Sequence, residues 1–131
     1  MTRKLSSIIG IVLLLGCLAL PAMAAEQAPE FTGILWLQSL QSEKQAVLYG
    51  ASSVVAVEKA LAEREGRKAS PFVEGWMQAF STTSLPQLQE KLDEWYLTHP
   101  DGRVRLVFDV LWYEFMLPAL EKTGQNGQNK Q

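Results

Sequence analysis

The sequence predicts an all-α domain, a compact bundle of four to five helices about a central apolar helix near the carboxyl end, preceded by a cleavable leader. Three observations carry this: apolar residues recur at helical rather than alternating spacing, Ser and Thr stand repeatedly where helices should begin, and the amino terminus has the order of an export signal. Arg3 and Lys4 precede an apolar run from Ile8 to Leu20, followed by Pro21 and the small-residue pattern Ala22-Met23-Ala24. Thirteen apolar residues make roughly 20 Å of helix, short of the roughly 30 Å hydrocarbon core, so removal before Ala25 is expected rather than permanent anchoring. Leu14-Leu15-Gly16-Cys17 offers a second reading, a lipobox with Cys17 acylated, and only that would give the chain a membrane partner.

Removing residues 1–24 from the 131 leaves 107, enough for one domain. Two of the 12 basic residues, Arg3 and Lys4, leave with that segment, so 10 remain against 14 acidic ones, a net charge of −4. Such a balance argues against nucleic acid as a partner. Cys17 is the sole cysteine and His99 the sole histidine. No disulfide is then expected in the processed chain, and no metal or other cofactor is expected either. The expected location is the periplasm.

Residues 25–31 are polar and contain proline, which predicts a mobile lead-in, and the domain proper is expected over 32–122. Thr32 can cap a short helix through Leu40 that bears Trp36. Ser42 with Gln45 three residues on has the form of a capping box, opening a long helix to about Arg64 that exits through Glu65-Gly66-Arg67. On a helical wheel Val47, Leu48, Ala51, Val54, Val55, Leu61 and Ala62 gather on one side, predicting the core face. Within that helix Ala46, Gly50 and Ser53 form a track of small residues suited to close approach of a neighbour. An internal glycine costs roughly 1 kcal/mol relative to alanine, so Gly50 and Gly75 should each be compensated by such an approach.

Ser70-Pro71 is a cap followed by a first-turn proline and starts the next helix, with Phe72, Trp76, Ala79 and Phe80 on one face. Ser84 with Gln87 repeats the capping box, opening a helix to Thr98 whose apolar side holds Leu85, Leu88, Leu92, Trp95, Tyr96 and His99. Glu90, Asp93 and Glu94 are expected on its opposite, solvated side. His99 should meet free carbonyls at that helix's end, and His99-Pro100-Asp101-Gly102 should stop it. From Arg103 to Lys122 the β-branched and aromatic content keeps a strand open, but the length favours a helix. Two stripes, one through Val104, Val107, Phe108, Leu111, Trp112 and Phe115 and one through Leu106, Val110 and Leu117, predict a central helix with neighbours on both sides. Pro118 should kink or end it, and 123–131, rich in Gly, Gln and Asn, should be a disordered tail.

Four residues are candidates for function. Glu58 falls among Val54, Val55, Leu61 and Ala62, where desolvation would raise its pKa and equip it for acid catalysis; an ion pair is the ordinary alternative. Glu114 lies between the apolar stripes of the last helix and could form a carboxylate pair with Glu58 for work on glycan. Asp109 should instead pair with Arg105, four residues earlier. Trp76, Trp95 and Trp112 sit on core stripes, whereas Trp36 and Tyr49 do not, so these two are expected to face a partner.

Trp36, Ser39, Lys44, Tyr49-Gly50, Leu92, Tyr96 and Pro100, followed by a last apolar helix, form a pattern that resembles small exported all-helical proteins, among them immunity proteins against type VI secretion amidases. The resemblance spans roughly 32–120. It implies a chain that binds and blocks a toxic cell-wall amidase, often as an oligomer; the disulfides common in that group are not expected here, where Cys17 is the sole cysteine. No inhibitory residue carries over to this sequence. The expected function is therefore non-catalytic binding to another exported or envelope protein, or self-association, with an immunity-like role as what the resemblance implies. The alternatives are a small envelope enzyme using Glu58 and Glu114, or a carrier of a small apolar ligand.

Overall fold

A computed structural model describes residues 30–128. The expected leader, the cleavage site before Ala25 and Cys17 lie outside the described residues, as do 129–131. The described part is all helical and compact, with no strand among its residues. In chain order it holds α1 (Gly33–Gln38), α2 (Gln41–Glu65), α3 (Pro71–Phe80), α4 (Leu85–Thr98), a 3-10 turn (Pro100–Val104), and a final helix built of α5 (Val107–Val110), a π-helical segment (Leu111–Met116) and α6 (Leu117–Gln128). No helix among the described residues is long and apolar enough to cross a membrane.

Most of the starts follow the caps. Thr32 Oγ1 accepts from the Leu35 amide at 3.5 Å, and Ser70 Oγ accepts from the Val73 amide at 3.4 Å ahead of Pro71. At α4 the box closes both ways: Ser84 Oγ accepts from Gln87 N–H at 3.4 Å, and Gln87 Oε1 accepts from Ser84 N–H at 2.9 Å. The exception is α2, which begins before Ser42. Leu40 is its N-cap, and Glu43 Oε2 accepts from the Leu40 amide at 2.7 Å. An ionised carboxylate in the first turn also suits the positive end of the helix dipole, which Gln45 could not match. The α2 exit uses Gly66 at φ 64°, with Arg67 N–H donating to Ala62 O at 3.0 Å, a left-handed cap that a side chain would strain.

One core unites the elements. Trp36, Leu48, Val55, Val73, Trp76, Phe80, Leu88, Leu92, Tyr96, Val107, Val110, Leu111 and Met116 form a single buried cluster. Phe31 is part of its wall rather than of a mobile lead-in. Its carbonyl accepts from Val107 N–H at 2.9 Å, Gly33 N–H donates to Arg105 O at 3.0 Å, and its ring meets Trp36 edge-on. These bonds form an isolated antiparallel bridge between Thr32 and Leu106. It pins the entrance of α1 to the entrance of the last helix.

The carboxyl-terminal third departs from expectation in three ways. Val104 is outside the helix and 70% exposed, because Pro100 seeds a 3-10 turn and the helix restarts only at Val107. Second, each predicted stripe is buried only in part: Val107, Val110, Leu111 and Met116 are sealed, but Phe108 of the first stripe and Leu106 of the second remain exposed, as does Tyr113, and the packing of the helix is chiefly against α3. Third, Pro118 neither ends the helix nor leaves a break. The preceding turn widens so that Leu117 N–H reaches back five residues to Trp112 O, and this π geometry absorbs the local mismatch. The helix then runs to Gln128, past the boundary expected at Lys122, since adding residues to an existing helix avoids the cost of a new nucleus.

Two glycines are explained by contact. A Cβ on Gly75 would lie 3.1 Å from Met116 Cβ, which is the close approach of the last helix to α3, and a Cβ on Gly33 would fall within the Tyr96 ring. Gly50 is different: nothing lies within 4 Å of its Cβ position, and Ala46, Gly50 and Ser53 are all exposed, so the expected neighbour is not supplied by this chain's described residues. Urea denaturation in dilute solution should separate the two kinds. Gly33→Ala should cost about 1–3 kcal/mol through overpacking, whereas Gly50→Ala should add roughly 0.5–1 kcal/mol through helix propensity.

Candidate functional site

The residues singled out by sequence fall into three unlike environments. Trp36 is not at the surface: it is fully buried, and its Nε1–H donates to Asp93 Oδ1 at 2.7 Å. This corrects the expectation that it faces a partner. Being on a short helix said nothing about exposure, since α1 is held flat against α4 through Gly33 and Tyr96. Lys44 Nζ reaches the same Asp93 oxygen at 2.8 Å and stands over the Trp36 ring at 5.4 Å, while Gln89 Nε2 donates to Asp93 Oδ2 at 3.3 Å. Asp93, expected on the solvated side of α4, is instead the half-buried acceptor for three elements. Lys44 lies four residues before Leu48 on the inward row, a spacing that could have marked it.

Glu58 and Glu114 are structural in geometry. Glu58 Oε1 accepts from Arg67 Nη1 at 2.9 Å and from Ser70 N–H at 3.3 Å, tying the end of α2 to the start of α3. Its second oxygen, Oε2, is buried without a partner. Glu114 Oε1 accepts from Arg105 Nη1 at 2.5 Å, while Arg105 Nε donates to Asp109 Oδ2 at 2.8 Å, the expected local pair. Arg103 Nε donates to Tyr96 O at 3.0 Å. Glu58 and Glu65 hold the Arg67 guanidinium more firmly protonated, as Glu114 and Asp109 do Arg105. The two glutamates thus belong to separate ion-pair networks, and neither lines a described surface depression. An acid and base working across a cleft have no counterpart in this arrangement.

His99 behaves as a helix-end residue: Nδ1 lies 2.8 Å from Trp95 O and its ring stacks on Trp95 at 4.6 Å. Among the described residues no group of three or more His, Cys, Asp or Glu side chains is placed to hold a metal ion. The described depressions are open to the surface.

What remains is the outer face of α2. The inward row is Lys44, Leu48, Val55 and Ala62. Val54 at 69%, Val57 at 61% and Leu61 at 40% exposure point away from it, together with Ala46, Gly50, Ser53 and Ala60. Val54 and Leu61, expected on the core face, belong instead to this outer row, because α2 is apolar on two sides and only packing against α3 and α4 selects one of them. Tyr49, 67% exposed, edges the outer face beside a shallow depression of about 390 Å³ shared with Ser42, Gln45, Leu85 and Pro86. Tyr49 is therefore exposed, unlike Trp36. From Ala46 to Leu61 this face carries no charge, and contiguous apolar surface of that kind marks interaction sites in soluble domains. Other exposed apolar residues, such as Leu97, Val104 and Leu106, are interrupted by Asp101, Arg103 and Arg105.

No protein-family model, curated protein or solved structure matches this chain.

Burial pushes the Tyr96 hydroxyl up to about 12, against the lowering effect of the nearby Arg105 charge. The hydroxyl donates to Arg105 O at 3.2 Å, a carbonyl that also receives Gly33 N–H. An unfolded tyrosine releases its proton near pH 10, while the folded chain retains it, so this contribution is complete below pH 10 and falls as pH rises towards 12. Alkaline denaturation should show a loss on the order of 2 kcal/mol over that window. Tyr96→Phe should lack that component of the slope, at a cost of about 1 kcal/mol at neutral pH.

Proposed function

We propose that this chain is a non-catalytic exported binding protein of the immunity-like kind its sequence resembles, whose interaction surface, for another envelope protein or for a second copy of itself, is the outer face of α2. The observation that carries the reading is the uncharged strip Ala46 to Leu61 with Tyr49 at its edge, left bare by an otherwise closed core. Hot spots of binding are commonly aromatic residues set beside packed apolar ones. Tyr49 next to Ala46 and Pro86 has that setting. The export-signal pattern of residues 1–24 supports an encounter in the envelope. The net acidic balance favours a protein partner over nucleic acid.

Affinity purification from periplasmic extract under mild crosslinking tests this. The parent chain should recover a specific exported protein or itself, and Val57→Glu should reduce that recovery at least about tenfold while helicity is unchanged. Recovery of nothing by the parent, or equal recovery by both, contradicts the reading.

A further inference from the structure

Gly50 is the starting point. A glycine in the middle of a 25-residue helix carries a propensity cost, and nothing in the described chain lies near enough to require it. The glycine sits on the outer face with Ala46, Ser53, Val54, Val57 and Leu61, so whatever uses the missing side chain comes from outside. Ser53 Oγ already donates to Tyr49 O at 2.8 Å, as does Ser52 Oγ. The face can therefore be dried without stranding a hydroxyl proton.

Charge says what comes. The strip from Ala46 to Leu61 is centred between Ser53 and Val54, seven residues from Ser53 on one side and seven from Val54 on the other. Two charges bound it, Glu43 and Arg64, at ten residues from the same two positions. Eighteen residues are five full turns, so Glu43 lies on the same line of the helix as Leu61, and Arg64 on the same line as Ala46. Both charges are exposed, and Arg64 makes no ion pair among the described residues. Glu43 uses Oε2 for the Leu40 amide and keeps its other oxygen available.

We propose that the outer face of α2 docks a second copy of this chain, the two helices antiparallel about a twofold axis between Ser53 and Val54. This rests on the reading of that face as the interaction surface and names its partner. In that arrangement Ala46 opposes Leu61, Gly50 opposes Val57, and Glu43 meets Arg64 at both ends. A twofold interface must be self-complementary, residue i meeting j while j meets i, and this strip satisfies that condition in shape and in charge. Parallel pairing would set Glu43 against Glu43 and Arg64 against Arg64. Opposed helix dipoles also favour the antiparallel sense. One helix from each copy makes a small interface, so the dimer should be concentration-dependent.

Sedimentation velocity on the purified protein from about 5 to about 500 μM should show the mass moving from one chain to two. Val57→Glu should stay at one chain throughout, with helicity unchanged. Arg64→Glu should move the midpoint to about tenfold higher concentration by replacing two attractions with two repulsions, and adding Glu43→Arg should bring it back. Under oxidation Ser53→Cys should self-link, whereas Ala46→Cys should link only when paired with Leu61→Cys. A one-chain mass at every concentration, a dimer that survives Val57→Glu, or efficient self-linking of Ala46→Cys overturns the proposal. If the parent is monomeric yet Val57→Glu still loses a recovered envelope protein, the interaction surface stands and the second copy falls.

Discussion

Much of this fold depends on one carboxylate. Asp93 gathers donors from three helices: the Trp36 indole of α1 at 2.7 Å, the Lys44 ammonium of α2 at 2.8 Å, and the Gln89 amide of its own α4 at 3.3 Å. Lys44 is one of two buried polar or charged side chains among the described residues, at 8% exposure, and Gln89 is the other. A buried ammonium without a counter-charge is costly. An indole N–H without an acceptor adds a smaller cost. Both are relieved by the same oxygen, so α1, α2 and α4 can close around Trp36 only in the register that brings Asp93 between them.

The other restraints act in the same region. Tyr96, one turn beyond Asp93, occupies the space a side chain at Gly33 would need and caps the Arg105 carbonyl, to which Gly33 also donates. Phe31 and Val107 complete the closure, so the amino-terminal segment holds the last helix in place without a disulfide. With its inward row committed to Lys44, Leu48, Val55 and Ala62, α2 leaves its outer row, with Val54 and Val57, exposed. The exposed strip is thus a consequence of the packing that makes the core.

The fold class was readable because caps and breaks are local. Thr32, Ser70, Ser84 and Gln87 announce their helices by chemistry that acts over three residues, and Asp109 finds Arg105 at one turn. Readings that required knowing which neighbour lay where did less well. Val47, Val54 and Leu61 sit beside the true core row on the wheel, and only the placement of α3 and α4 distinguishes the rows. Trp36 looked unoccupied because its acceptor is 57 residues away in sequence. Asp93 looked solvated because it lies at the margin of the Tyr96 stripe, where a small rotation decides burial. Glu58 and Glu114 were legible as acids in apolar surroundings, but their arginines, each nine residues distant, lie across a turn rather than along a helix. The extension of the last helix past Pro118 depended on the π segment, which no residue pattern announced.

The most direct test of this account is chemical denaturation at neutral pH of Asp93→Ala and Asp93→Asn beside the parent chain. If Asp93 organises the three helices, Asp93→Ala should lose about 3 kcal/mol, since Lys44 is left buried without its counter-charge and Trp36 without its acceptor. Asp93→Asn should lose less, because its carbonyl can still receive the indole. A stability for Asp93→Ala within about 0.5 kcal/mol of the parent would show that the helices close without this carboxylate and would contradict the account.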